Sequence, residues 1–216
     1  MLSVNKFNCL ILLIFQVSFF ASCSSKVNLE GKDKYDILSL LIDKHTVPIL
    51  VPPPPPPQGI IDTAALERDS IIKIIQSDSW KNQKQIVAIN TELRNVNSND
   101  IPRNDTIVPK EYSLIFNKFL NDKLPSPLVI RKIKATRGNV FIECPNNKSL
   151  TNNSELWKTF DCIVSFSDVK FSNDLTKAVV YMGISFGKLN GWSAYFLLEK
   201  INEKWIVKHS KTFEIS

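Results

Sequence analysis

The chain has 216 residues, with 27 Lys or Arg against 21 Asp or Glu, for a formal net charge of +6. Its apolar fraction of 44% is ordinary for a globular protein, and six glycines is a low count. The mild basic excess fits a soluble domain, with attraction to phosphate-rich glycolipid or nucleic acid as the functional alternative; a nucleic-acid partner is not expected.

The first element is a leader. Met1 to Lys6 carries one positive charge and no negative one. Cys9 to Ala21 is a 13-residue apolar run, and small residues Ala21 and Ser22 precede Cys23. A basic start, a short apolar core and a small-residue cleavage site describe a secretory signal over residues 1–22. The run falls short of the ~20 apolar residues that a spanning helix needs. Phe20-Ala21-Ser22-Cys23 resembles the lipobox of bacterial lipoproteins, with Phe20 where leucine is usual. The resemblance implies that the signal is cut before Cys23, that the Cys23 thiol is diacylated, palmitate being a typical chain, and that the protein is anchored to a membrane outside the cytoplasm. The mature chain then has 194 residues, enough for one domain and a tether.

With Cys9 discarded and Cys23 acylated, Cys144 and Cys162 remain as a pair. An oxidising compartment favours a disulfide between them, closing 17 intervening residues for ~3 kcal/mol, against the alternative of two separate buried thiols. Residues 23–58 are expected to form a tether. A polar leader precedes a short amphipathic helix at 35–44, where Ile37, Leu38, Leu41 and Ile42 share a face and which can dock on the domain. Pro48 stops the helix. Pro52 to Pro57 is a polyproline II rod of ~19 Å, read as a spacer off the membrane.

The globular domain is expected over 59–216. Residues 71–75 suit a helix begun near Asp69 or a strand, and Gln85 to Ile89 reads as a strand. Residues 94–109 read as loop, and a helix opens at Pro109-Lys110-Glu111 and ends before Pro125. Leu128–Ile133 and Asn139–Ile142 read as strands around a Gly138 turn. Lys123, Arg131, Lys132, Lys134 and Arg137 form the densest basic stretch. In 161–171 the apolar phase shifts near Ser167-Asp168, which suggests a bulge. Alternation through Ala178–Phe186, Trp192–Leu198 and Trp205–Phe213 predicts an antiparallel meander with one buried face, turning at Ile201–Lys204.

From Phe166-Ser167 through Ala178–Tyr181 to Leu197–Lys200 and Lys204-Trp205, the sequence resembles the C-terminal region of a group of uncharacterised bacterial lipoproteins. Those relatives carry Cys-Gly-x-Leu-Cys-Gly where this chain has Phe186-Gly187-Lys188-Leu189-Asn190-Gly191. With both cysteines lost, no redox, disulfide or metal role is implied for that loop. The resemblance implies no particular activity.

Catalytic signatures are missing from the sequence. It has two histidines, His45 at a helix end and His209 in the last strand. It has no Gly-x-Ser-x-Gly, His-Glu-x-x-His, Cys-x-x-Cys or P-loop. No catalytic residue, metal site or cofactor is therefore expected. A paired-carboxylate site would draw on Glu143, Asp161 or Asp168, which read first as turn and bend residues. Asp62-Thr63, Asp69-Ser70 and Asp105-Thr106, each followed by an aliphatic residue, resemble the O-glycosylation site of some exported bacterial proteins. That makes Thr63, Ser70 and Thr106 candidates, with helix and turn capping as the alternative.

The expected fold is α+β, a curved antiparallel sheet packed against one or two helices. The expected function is that of a lipid-anchored binding or accessory module on the periplasmic or surface side of the cell envelope. Its partners would be the membrane, through the anchor, and a protein or envelope glycan. Tyr181, Trp192 and Tyr195 would line a concave site or pack as core. A carboxylate hydrolase of the envelope and a protective inhibitor presenting the Gly187–Gly191 loop are the alternatives.

Overall fold

A computed structural model describes residues 29–48, 73–74, 77–96, 108–121, 127–144, 154–187 and 190–215. The signal, Cys23, the polyproline run, Thr63, Ser70 and Thr106 lie outside the described residues, as do Lys123 and the Lys188-Leu189 tip. The fold is α+β: two helices on a mixed, mostly antiparallel sheet that does not close into a barrel.

Helix α1 occupies residues 29–45 and α2 is Ser113–Asn121, entered through a 3-10 turn at Lys110–Tyr112. Pro109 sits just ahead of that turn, where its missing N–H costs nothing. The strands are β1 Ile86–Ile89, β2 Val140–Glu143, β3 Cys162–Phe166, β4 Lys170–Phe171, β5 Lys177–Gly187, β6 Asn190–Ile201 and β7 Lys204–Ile215. They run in the order β2-β1-β3-β5-β6-β7, with β4 extending β3's place beside β5.

Three expectations change. First, β1 pairs in parallel with both β2 and β3, so only the sheet from β3 onward is the antiparallel meander. Parallel neighbours need a long crossover, and the chain that carries α2 supplies it between β1 and β2. Second, Leu128–Ile133 is not a strand. Its donors are not free for a ladder: Lys132 N–H donates to the Val129 carbonyl (3.0 Å), Ile133 N–H to Ile130 (2.9 Å) and, from α1, the Tyr35 hydroxyl accepts from Val129 N–H (3.0 Å). Gly138, at φ 73°, then turns the chain into β2.

Third, the meander is buried on both faces. Ala178, Val180, Met182 and Ile184 of β5 face α1 together with Ala194, Phe196, Leu198 and Trp205, as the alternation predicted. Val179, Tyr181, Tyr195 and Leu197 also pack, against Tyr112, Ile115, Phe116 and Phe119 at α2. The tight turn from β6 to β7 is a two-residue loop, with Asn202 (φ 48°) and Glu203 (φ 61°) both left-handed, the geometry whose twist matches a hairpin.

The expected tether also changes in meaning. α1 starts earlier than residue 35, and Ile37, Leu38, Leu41 and Ile42 are fully buried in the principal core. Burying four such side chains is worth up to ~6–12 kcal/mol. α1 precedes Pro52–Pro57 in the chain and packs into the core, the docked helix that the sequence allowed.

Candidate functional site

The phase shift at Ser167-Asp168 is a one-residue bulge, and the site is built on it. Phe166 registers with Met182 and Lys170 with Val179, so four steps on this side match three on β5. Ser167 holds the gap: its N–H donates to the Tyr181 carbonyl (3.1 Å) and its hydroxyl accepts from Tyr181 N–H (2.9 Å). The extra residue restores phase, so Val164, Phe166, Val169 and Phe171 all enter the same core. It also turns Asp168 out of the ladder, the re-aiming that bulges provide.

Asp168 is gripped on both carboxylate oxygens. Lys34 of α1 donates to Oδ1 at 2.7 Å and Lys170 of β4 to Oδ2 at 3.1 Å, with the three side chains only 12%, 15% and 21% exposed for Lys34, Lys170 and Asp168. Next to them opens a cleft of about 550 Å³, between the first turn of α1 (Glu30), the last turns of α2 (Lys118, Asn121) and the chain from the bulge to Leu175. Lys118 donates to Asn173 Oδ1 at 3.2 Å across it. The far rim is set by a turn in which Leu175 is left-handed (φ 57°). Hydrogen bonds from the Ser172 hydroxyl and Thr176 N–H hold the exposed Asp174 carboxyl down to about 2.

The other sequence candidates are placed apart. The Asp161 carboxylate accepts from Ile86 N–H (2.7 Å) and Glu143 from the Thr91 hydroxyl (3.0 Å), so each of the three candidate acids has its own structural partner. Tyr181 and Tyr195 are cross-strand neighbours on the α2 side, the latter 5.2 Å from the Phe116 ring, whereas Trp192 packs on the opposite face. Those aromatics do not line one concavity.

Cys144 and Cys162 are not joined, which corrects the expected disulfide. They flank β2 and β3, which lie on either side of β1, about 10 Å apart at ~4.8 Å per strand. Cys162 registers with Val87 while Cys144 follows Glu143, the partner of Ile89, adding a stagger along the strands. Bridging needs Cα atoms within ~7 Å. Burial, together with neighbouring Asp161, pushes the Cys162 thiol up to about 12, and burial raises Cys144 as well, so neither is an activated nucleophile.

His45 ends α1 but does not serve the helix dipole as a cation. Its ring packs 5.2 Å from Trp192 and 5.0 Å from Phe196. Burial, with Lys44 beside it, lowers its pKa to about 4, so it is neutral. His209 stacks edge-on to Tyr112 at 6.3 Å on the exposed β7. In the basic stretch, Lys134 pairs with Asp36 at 2.9 Å and Lys132 lies 5.3 Å from the Tyr35 ring, so these two lysines dress α1.

Sequence reasoning missed Lys34, Lys118 and Lys170. They are single lysines dispersed over most of the chain, and the only local signal was the bulge that brings one of them beside Asp168. Among the described residues no helix is long and apolar enough to cross a membrane, and no group of three or more His, Cys, Asp or Glu is placed to hold a metal ion. Comparison of the chain with protein-family models, with curated proteins and with solved structures gave no match.

Proposed function

We propose that this is a lipid-anchored, extracytoplasmic binding module, held to a membrane of the cell envelope by acylated Cys23 and taking its ligand in the cleft beside Asp168. The observation that carries the anchor is the junction Phe20-Ala21-Ser22-Cys23 behind a basic start and a short apolar run. Two or more acyl chains, at ~0.8 kcal/mol per buried methylene, hold a protein of this kind stably. The cleft offers polar groups to a ligand: two lysines, Glu30, two asparagines, the Ser172 hydroxyl and Asp168, whose two oxygens are held by lysines.

Fatty-acid labelling of the expressed full chain tests the anchor. The wild type should carry label on a peptide beginning at Cys23, and Cys23→Ala should carry none and leave the membrane fraction or accumulate as precursor. Label retained by Cys23→Ala would sink the reading.

A further inference from the structure

The flank of α1 away from the cleft carries a second surface. The chain from Val129 to Asn139 is laid along it in the same direction as the helix. Val129 N–H donates to the Tyr35 hydroxyl (3.0 Å), Lys134 N–H to the Ser39 hydroxyl (2.9 Å), the Thr136 hydroxyl to Asp43 and the Asn139 amide to the Thr46 hydroxyl (3.4 Å). Two runs far apart in sequence thereby share one stripe, ~17 Å long at 1.5 Å per helical residue.

The stripe is unequal in charge. Arg131, Lys132, Lys134 and Arg137 line the strip, and Lys32, one turn ahead of Asp36, continues the row on α1. The acids among these five cations are Asp36 and Asp43. Asp36 is matched by Lys134, whose side chain is still 69% exposed. The other acids of α1 serve elsewhere: Glu30 lines the cleft, and Asp33 pairs with Lys200 at 3.0 Å. Lys32, Arg131 and Lys132 are likewise exposed, so their attraction for an anionic surface needs no dehydration and is screened by salt.

What this row meets follows from where it begins. Six chain steps separate Cys23 from Leu29, a span of at most ~22 Å however that stretch is arranged. Leu29, 50% exposed, stands one turn before Lys32 and puts an apolar side chain at that end. A basic row beside an apolar tip is the pattern of a segment that lies on a membrane interface. A nucleic acid is the poorer fit. Single strands are held by bases stacking on aromatic rings, and the ring in this stripe, Tyr35 beneath Lys132, is 9% exposed.

We propose that this stripe docks on the anionic headgroups of the membrane that carries the anchor, laying that flank of α1 on the bilayer. The reach to the bilayer rests on the lipid-anchor reading; the attraction to an anionic lipid surface rests on the stripe alone.

The test uses the whole chain from residue 23 with Cys23→Ser, so that no acyl chain contributes. Sedimentation with vesicles of phosphatidylcholine alone and of phosphatidylcholine with phosphatidylglycerol is measured at one low ionic strength. Binding should require the anionic lipid. Lys32→Gln with Lys132→Gln should weaken it about 25-fold, fivefold per lysine, the worth of ~1 kcal/mol each at an anionic surface. Lys110→Gln with Lys204→Gln removes the same charge from exposed positions ahead of α2 and at the start of β7, and should lose little. Matching urea midpoints establish that both variants are folded.

Equal losses in the two variants would mean diffuse attraction by net charge and overturn the stripe, as would no binding to the anionic vesicles. Retention on heparin without vesicle binding would overturn the membrane as its occupant and leave a site for a soluble polyanion. The mass of the wild-type Cys23 peptide is read separately, so failure of the anchor and failure of the stripe are distinguishable.

Discussion

α1 and α2 cover opposite faces of one sheet. Each buries an apolar stripe: Ile37, Leu38, Leu41 and Ile42 for α1, and Ile115, Phe116 and Phe119 for α2. They differ in how their polar faces are used. α1 is tied along its length by Asp33 to Lys200 (3.0 Å), Lys34 to Asp168, the Tyr35 hydroxyl to Val129 N–H, the Ser39 hydroxyl to Lys134 N–H (2.9 Å) and Asp43 to Thr136. The side chains of α2 reach a distant partner through Lys118 to Asn173, and Leu114 on its outer face is 78% exposed. The helix nearest the N-terminus, beside the supposed tether, is thus the more deeply integrated of the two. Being early in the chain and next to a proline run says little about whether a segment belongs to the core; a fully buried stripe with specific partners on remote strands says a great deal.

The severest way to break this comparison is to remove α1. A chain starting at residue 59 loses all four buried side chains and strips Lys200 and Asp168 of partners. It should show no cooperative unfolding transition, whereas the chain from residue 23 should show one in the same denaturant series. Leu41→Ala should cost ~2–5 kcal/mol by opening a cavity under α1. Leu114→Ala, on the exposed side of α2, should stay within ~0.5 kcal/mol, both read from urea midpoints.

Asp33→Ala sharpens the contrast in polar ties. Asp33 is only 3% exposed, and its loss leaves the largely covered Lys200 ammonium with Glu203, a 91% exposed partner at 3.4 Å. Breaking a buried pair in this way costs ~3 kcal/mol. Cutting the α2 tie with Lys118→Gln should cost well under ~1 kcal/mol, as for other exposed contacts.

A modest pH dependence is expected at the C-terminal end of α1. His45 has a folded pKa of about 4, below its ordinary 6.5, so the unfolded chain takes up a proton that the folded one refuses. Stability should be unaffected by this group above pH ~6.5, fall as pH drops toward 4, and level off below. Screening on the open side of the ring limits the loss to on the order of 1 kcal/mol. In His45→Gln that part of the profile should flatten, measured as the change in urea midpoint between neutral and acidic buffer.

Much of the fold was legible in the residues because it is written in local periodicity. Alternation along 178–198 marked the face under α1, the spacing of Ile37 to Ile42 marked a helix, and the phase break at Ser167-Asp168 marked the bulge. The second buried face was hidden because Val179, Tyr181, Tyr195 and Leu197 occupy the positions a one-sided sheet gives to solvent, and only the arrival of α2 buries them. The parallel pairing of β1 was hidden because four residues look the same in either direction. At the site, Asp168 stood out through the bulge. Its lysines could not, since ion pairs across more than a hundred residues leave no pattern in sequence. The disulfide expectation failed for a related reason: it assumed that the Cys144 and Cys162 strands are neighbours, and β1 lies between them.

Native-state hydrogen exchange is the most direct test of whether α1 is a core element. The amides of residues 37–42 should exchange only through global unfolding, with the same opening free energy as Val180–Met182 of β5 and Phe196–Leu198 of β6. Exchange of α1 orders of magnitude faster than those strands, with the strands still protected, would show a helix that comes and goes on a domain complete without it, and would contradict the account.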